Sequence, residues 1–431
     1  MTPGARLAAA IDVLEEYERA PAPADAIVAS YLRTRRYIGA KDRAAIQALV
    51  FGHFRQWARI GWLIERGGMA PTPRLRVIAG QALAAQRALV GPGGLFTGNG
   101  HDPAPLTRAE EKLFHTLAGK PLDDPDMPEA VRLECPDWAE AGLREALGER
   151  FAEEMAALIE PAPLDFRANA VKATRAQAIA ALAADGVEVE ATPWSPWGMR
   201  RQGRIALGAL PSFREGLFEV QDEGSQLIAV IAEARPGMQV VDFCAGAGGK
   251  TLALAATMQN KGRVVACDIS ADRLERAGER LRRAGIHNVE RRPLKTERDP
   301  WVKRHKGKFD RVVVDAPCSG TGTWRRNPDA RWRPAGPGLE SLIALQASIL
   351  ESAARLVRPG GRLVYATCSF MRAENEDRIE AFLAGHPDFT VVPVADLQPG
   401  LGETFMRLTP ARHGTDGFFA AVMERKSPEA A

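Results

Sequence analysis

From about Gly216 onward the chain alternates short apolar runs with helix-length segments, and no other feature restricts its fold so tightly. Val240–Phe243, Arg263–Cys267, Arg311–Val314, Arg362–Thr367 and Phe418–Val422 read as strands. Leu252–Met258, Ala271–Ala284, Leu339–Leu356 and Asn375–Ala384 fall between them and read as helices. Apolar strands joined by helices bury both faces of a mostly parallel sheet, so the expected class is α/β with a Rossmann-like sheet. In such a sheet the carboxyl ends of the strands open into one crevice, and chemistry-bearing residues are to be sought there.

The 431 residues leave room for two or three domains at about 150 residues each. The first 160 residues read as all-helical, with Ala, Leu, Ile and Arg spaced by three and four in Leu7–Leu14, Ala26–Leu32, Ala44–Leu63 and Leu75–Leu89. Gly91–Pro105 interrupts this pattern and predicts a surface loop; helical periodicity resumes over Arg108–Leu117 and Glu129–Leu158. Pro161-Ala162-Pro163 then punctuates the chain. Beyond it, a short strand from Asp165, an Ala-rich helix over Arg175–Ala184 and a Val-Glu alternation at Val187–Glu190 predict a small α+β insert. The expected domains are therefore 1–160, 161–215 and 216–431. No run approaches about 18 apolar residues, and Met1–Ala10 lacks the apolar stretch of a secretory signal, so a cytoplasmic protein without membrane contact is expected.

The five cysteines, Cys135, Cys244, Cys267, Cys318 and Cys368, are odd in number, scattered and free of C-x-x-C pairs. Neither a disulfide framework nor a metal site is expected. Net charge is only +3, but it is unevenly spread. Arg291 to Arg333 holds thirteen Lys or Arg against five Asp or Glu, and Tyr31 to Arg66 holds eight against two. These regions read either as phosphate-tracking surfaces or as ordinary solvated faces.

The first strand of the sheet runs into Asp242-Phe243-Cys244-Ala245-Gly246-Ala247-Gly248-Gly249-Lys250-Thr251 and then into a helix. Glycines here let backbone approach a ligand, and the helix start offers unpaired N–H groups to an anion. The spacing is not that of a nucleotide-phosphate loop. The next strand ends in Asp268, an acid suited to ribose hydroxyls. Two further strand ends deliver Asp315-Ala316-Pro317-Cys318-Ser319-Gly320 and Tyr365-Ala366-Thr367-Cys368-Ser369, so two thiols and a carboxylate should converge near the glycine turn. Cys135 and Cys267 read as inert packing residues.

Together these strings resemble the S-adenosylmethionine-dependent RNA (cytosine-5) methyltransferases, and among them the RsmB (Sun/Fmu) type that modifies small-subunit ribosomal RNA. The resemblance extends to Phe166-Arg167-Ala168-Asn169, to Gly216–Gln226 and to His413-Gly414-Thr415-Asp416-Gly417-Phe418-Phe419. It implies an NusB-like RNA-binding domain over 1–160, an RRM-like insert over 161–215, a catalytic domain over 216–431, and a monomer whose partner is RNA. It further implies that Cys368 adds to carbon-6 of the cytosine, that Asp315 meets ring nitrogen-3, and that Cys318 serves release of the product. Carbon-5 is too electron-poor to take a methyl group unaided, and addition of a thiolate makes it an enamine carbon. The cofactor would lie against the backbone of Cys244, Ala245, Gly246, Ala247, Gly248, Gly249 and Lys250, with Lys250 near its carboxylate, Asp268 at its ribose and Asp315 alongside.

RNA contacts are expected from Arg167, Asn169 and Lys172 and from Arg325 and Arg326, which lie in a stretch where Trp324 and Trp332 read equally as stacking platforms or core residues. The target base must be unstacked or flipped out. Two departures from the family pattern stand out. Ala247 replaces the usual proline of the turn, and Asn288–Lys295 lacks the acid that normally meets the adenine amino group. Alternative readings are a cytosine-5 methyltransferase of transfer RNA or DNA, the latter attacking through Cys318, and a non-catalytic ribosome assembly factor.

Overall fold

The computed structural model describes residues 1–20, 22–84, 94–203, 205–333 and 338–427. The chain forms two compact units: Met1–Glu160 with Trp324–Gly336, and Pro161–Thr323 with Pro337–Ala431.

The first unit is helical. Its helices are Pro3–Arg19, Ala24–Thr34, Ala40–Phe54, Trp57–Arg66, Pro73–Ala84, Arg108–Leu117, Glu129–Arg132, Asp137–Leu147 and Phe151–Ile159. Their apolar stripes close over Val13, Leu14, Ile46, Val50, Phe54, Ile64, Val77 and Ile78. Two expectations change here. The single helix expected over Ala44–Leu63 is broken between Phe54 and Trp57, and the one over Glu129–Leu158 is three pieces. Of the expected Leu75–Leu89 helix, the part beyond Ala84 lies outside the described residues, as do residues 91–93 of the expected loop; Leu95–Leu106 carries no helix or strand.

The region after Gly216 is not one uninterrupted unit, because Trp324–Gly336 belongs with the helices. Trp324 is fully buried, edge-on to Trp138 at 6.0 Å. Arg331, also buried, donates to the carbonyls of Glu134 (3.0 Å) and Leu158. Trp332 donates its indole N–H to the Phe54 carbonyl at 3.0 Å.

The second unit holds two sheets. The smaller is antiparallel, in the order β2-β3-β1-β4, where β1 is Leu164–Ala168, β2 Glu190–Ala191, β3 Gly198–Arg201 and β4 Phe218–Val220. Only the end of the expected Val187–Glu190 strand pairs, and the sheet is completed beyond residue 215, by β4. The Arg175–Ala184 helix is as expected, fixed at its start by a capping box between Thr174 and Gln177.

The larger sheet contains β5 (Gln239–Asp242), β6 (Arg263–Asp268), β7 (Val289–Pro293), β8 (Phe309–Asp315), β9 (Val357–Thr367), β10 (Phe389–Val392), β11 (Met406–Leu408) and β12 (Phe418–Arg425). The order is β10-β12-β9-β8-β5-β6-β7, with β11 paired to β12. β5 through β9 are parallel, as expected, while β12 enters antiparallel to β9. Successive strands run outward from β5 to β7 and then return to β8 on its other side, so the chain reverses between β5 and β8. Ligands of open α/β sheets bind at that reversal.

Candidate functional site

A cavity of about 520 Å³ lies at the carboxyl ends of β5, β6, β8 and β9. Its floor is the turn after β5. Gly246 and Gly248 take φ of +53° and +80°, the left-handed region that an L side chain resists. Gly246, Ala247, Gly249 and Lys250 line the cavity, as do Cys244 and Ala245. Gly248 does not; a Cβ there would stand 2.9 Å from the Ala277 Cβ, so this glycine serves the packing of helix Ala271–Ala284. Alanine at 247 accommodates the turn without a proline ring. Asp268 lines the same cavity, its two oxygens accepting the N–H groups of Gly246 (2.8 Å) and Ser270 (2.7 Å). Lys250 donates Nζ to Asp315 Oδ2 at 2.6 Å, so the ammonium expected at the cofactor carboxylate is paired within the chain.

The two thiols come together as the strand ends suggest. Cys318 Sγ and Cys368 Sγ are 3.4 Å apart, and both residues line the cavity with Asp315. The hydrogen bond to Cys368, burial, the charge of that sulfur and the Glu374 carboxylate together push the Cys318 thiol well above its ordinary range. Either sulfur of the pair could donate the hydrogen bond that joins them. Cys244 is likewise pushed up, chiefly by burial, which suits a residue contributing backbone rather than a thiolate. Asp242 is fully buried; burial raises its carboxyl to about 6, against a bond from Thr251, and Oδ1 has no hydrogen-bond partner.

The far end of the cavity is apolar with an acidic edge. Ile269 (71% exposed) and Leu345 (36%) are two of the few large apolar side chains left uncovered among the described residues, and both line this cavity with Leu294 and Ile349. Glu297 lies beside them, its Oε1 accepting the Ser348 hydroxyl at 2.7 Å, a bond that lowers its carboxyl below the usual range. The apolar walls suit a flat ring, the acids at Asp268 and Glu297 suit hydroxyl and amine donors, and the glycine turn suits an amino-acid moiety. The residues present thus fit an adenosine-bearing amino-acid ligand. Glu297 escaped the sequence reading because it falls two residues beyond the Asn288–Lys295 stretch at the end of β7.

Of the expected RNA-contacting residues Lys172 is exposed, Arg326 half-buried, and Arg167, Asn169 and Arg325 buried. Arg167 is buried and donates to Gln221 and to the Gly249 carbonyl (2.9 Å), bracing the glycine turn. Asn169, also buried, donates to the carbonyls of Gly216 and Ala284, both at 2.8 Å. Lys172 donates to those of Glu215 (2.6 Å) and Arg283 (2.8 Å). All three tie the insert to the larger sheet's domain. Arg325 is buried and Arg326 half-buried in the helical unit, and neither lacks a partner. Trp324 resolves as core. Among the described residues no cluster of His, Cys, Asp and Glu could hold a metal ion, and no helix is long and apolar enough to cross a membrane.

Residues 229–424 match the family model of the 16S rRNA methyltransferases RsmB/F, and residues 135–206 match the ferredoxin-like domain of RsmF/B-like methyltransferases. The chain is 32% identical over 417 residues to "Probable ribosomal RNA small subunit methyltransferase B" of Synechocystis, covering 89% of this chain and 91% of the relative. It is 30% identical over 413 residues to ribosomal RNA small subunit methyltransferase B of Salmonella newport, covering 90% and 91%. Among solved structures, that of the protein PH0851 superposes with a TM-score of 0.79 at 29% identity, covering 99% of both chains.

Proposed function

The chain belongs to the RsmB/F family of ribosomal RNA methyltransferases, and from that premise we propose that it methylates carbon-5 of a cytosine in small-subunit ribosomal RNA through a covalent adduct with Cys368. Its cofactor is S-adenosylmethionine. When bound, this cofactor supplies an electrophilic methyl group on a sulfonium. The turn Cys244–Lys250 and Asp268 would hold its methionine and ribose portions, Ile269 and Leu345 would flank the adenine, and Glu297 would accept from the adenine amino group.

The observation that carries the reading is the 3.4 Å pair of sulfurs, opening with Asp315 into the cavity that the glycine turn also lines. Cys368 gives up its proton to solvent and adds through sulfur to carbon-6 of the base. Asp315, tethered through one oxygen to Lys250, presents the other to the Watson–Crick edge and stabilises ring nitrogen-3 as electron density shifts toward it. After methyl transfer the carbon-5 proton leaves to solvent, its electron pair forms the 5,6 double bond, and the carbon–sulfur bond breaks. The Cys318 S–H then faces the departing Cys368 sulfur. Work on ribosomal RNA places the enzyme in the cytoplasm.

Cys368→Ala is expected to abolish turnover, and Cys318→Ala to accumulate a protein–RNA adduct stable to denaturation. Gel electrophoresis of each variant with substrate RNA reads both outcomes. An adduct formed by Cys368→Ala but not by Cys318→Ala reverses the two roles and favours the DNA-type scheme. Bisulfite sequencing of ribosomal and transfer RNA, with and without the gene, identifies the modified cytosine.

A further inference from the structure

The two thiols stand on loops from different strands, yet one buried carboxylate grips both loops. Glu374 lies in the short turn Arg372–Glu374 after β9 and is fully buried. Its Oε1 accepts the backbone N–H of Ser319 (2.8 Å) and the Gln346 amide (2.9 Å). Its Oε2 accepts the hydroxyls of Ser319 and Ser369. Ser319 directly follows Cys318, and Ser369 directly follows Cys368. Neighbouring bonds reinforce the clamp: Gly322 donates N–H to the Cys368 carbonyl at 2.9 Å, and Phe370 donates N–H to Thr321 Oγ1 at 2.8 Å.

Four donors converge on the two oxygens of one carboxylate, which can accept all four at once. Glutamine would keep one acceptor oxygen and set an NH₂ against the two serine hydroxyls, which would have to turn their protons away and accept, so the four-bond convergence is not kept as it stands. Nothing in the proposed chemistry requires Glu374 to touch the base, and none of its oxygens lines the cavity.

We propose that Glu374 is the positioning residue of the two-thiol step, holding Cys318 against Cys368 by clamping the serine that follows each of them. The proposal rests on the covalent reading for its consequence in turnover, but the spacing itself can be measured without RNA.

A trivalent arsenical such as phenylarsine oxide condenses with two thiols, releasing water and forming two As–S bonds without redox change, and it needs both sulfurs on one arsenic. Full-length protein should bind one equivalent in competition with a monothiol, and Cys368→Ala should not. Glu374→Gln should weaken this binding at least tenfold. It should also lower kcat about a hundredfold, the usual cost of a small misplacement at a reacting centre. S-adenosylhomocysteine affinity and KM for RNA should change by no more than about twofold. The double variant Ser319→Ala with Ser369→Ala removes the two hydroxyl grips on Oε2 while keeping the carboxylate and its bond to the Ser319 N–H, and it should lower arsenical binding and kcat in the same direction; it decides the matter if Glu374→Gln does not fold. Arsenical binding and kcat within twofold of the parent in these variants would overturn the proposal. So would loss of S-adenosylhomocysteine binding in parallel with kcat, which marks general damage. If Cys318→Ala traps no adduct while the arsenical results hold, the covalent reading fails and the clamp stands.

Discussion

At the scale of single residues, the adenine role proposed for Glu297, in place of the acid missing from the end of β7, is open to a sharp test. A carboxylate fixed by Ser348 can accept from a 6-amino purine but repels a 6-oxo one, and sites built on such a bond discriminate strongly. The protein should therefore bind S-adenosylhomocysteine at least tenfold more tightly than its inosine counterpart, and Glu297→Gln should erase that preference. Calorimetry with both ligands checks this, and an undiminished preference in the variant would remove Glu297 from the adenine edge. Asp242 carries a pH prediction. Its carboxyl rises from an ordinary value near 3.8 to about 6, so the folded state binds the proton more tightly than the unfolded state. The resulting stability is complete below pH 3.8 and is lost as pH rises toward 6, about 3 kcal/mol at 1.36 kcal/mol per unit. Asp242→Asn should gain on the parent by that order between pH 4 and 7 in urea unfolding; a pH-independent difference would contradict the burial argument. Cys318, Cys368, Asp315 and Asp268 were legible because strand ends converge by topology alone. The burial of Arg167 and Asn169 was not, because their partners lie 47 to 115 positions away in the chain and follow no local period.

At the scale of elements, the break between Phe54 and Trp57 shows how tertiary contacts override a continuous helical pattern. Ala44–Leu63 has no proline and an unbroken apolar periodicity, so local rules favour one helix. The buried Glu134 carboxylate nevertheless caps a new start, accepting the N–H groups of Ala58 (2.8 Å) and Arg59 (3.2 Å) and pairing with the Arg59 guanidinium at 3.0 Å. A cap supplied from 75 positions away leaves no trace in the local sequence. Glu134→Ala strands two N–H groups and takes from Arg59 one of its two carboxylate partners, and should destabilise the helical unit by about 3 kcal/mol. Chemical denaturation followed by tryptophan fluorescence measures this, and a loss below about 0.5 kcal/mol would show the cap to be incidental. The parallel strands, by contrast, were legible because β5, β6, β8 and β9 are buried on both faces and must be apolar throughout. The direction of β12 was not, since an apolar run carries no sign for parallel or antiparallel pairing. β10 and β11 were missed for their brevity, at four and three residues.

At the scale of the whole molecule, a net charge of +3 is too small to draw RNA, so attraction must come from where folding leaves the cations. Folding divides the two basic regions differently. In the later one, Arg311, Arg325 and Arg331 are buried, while Lys303, Arg304, Lys306 and Lys308 stay exposed around helix Pro300–Arg304. In the earlier one, Arg33, Arg36 and Lys41 remain exposed beside Tyr37, itself 72% exposed and available for stacking. This stretch of chain combines phosphate-pairing charge with an exposed aromatic ring, the pairing that single-stranded RNA favours. Replacing Arg33, Arg36 and Lys41 together by Ala should weaken RNA binding at low salt and lower the slope of log affinity against log salt by about 2, at roughly 0.7 per phosphate contact. S-adenosylhomocysteine affinity should stay unchanged, because none of the three lines the cofactor cavity. A slope equal to the parent's would mean that these cations face only solvent, and would shift the phosphate contacts to Lys303, Arg304, Lys306 and Lys308, whose joint replacement should then carry the same loss.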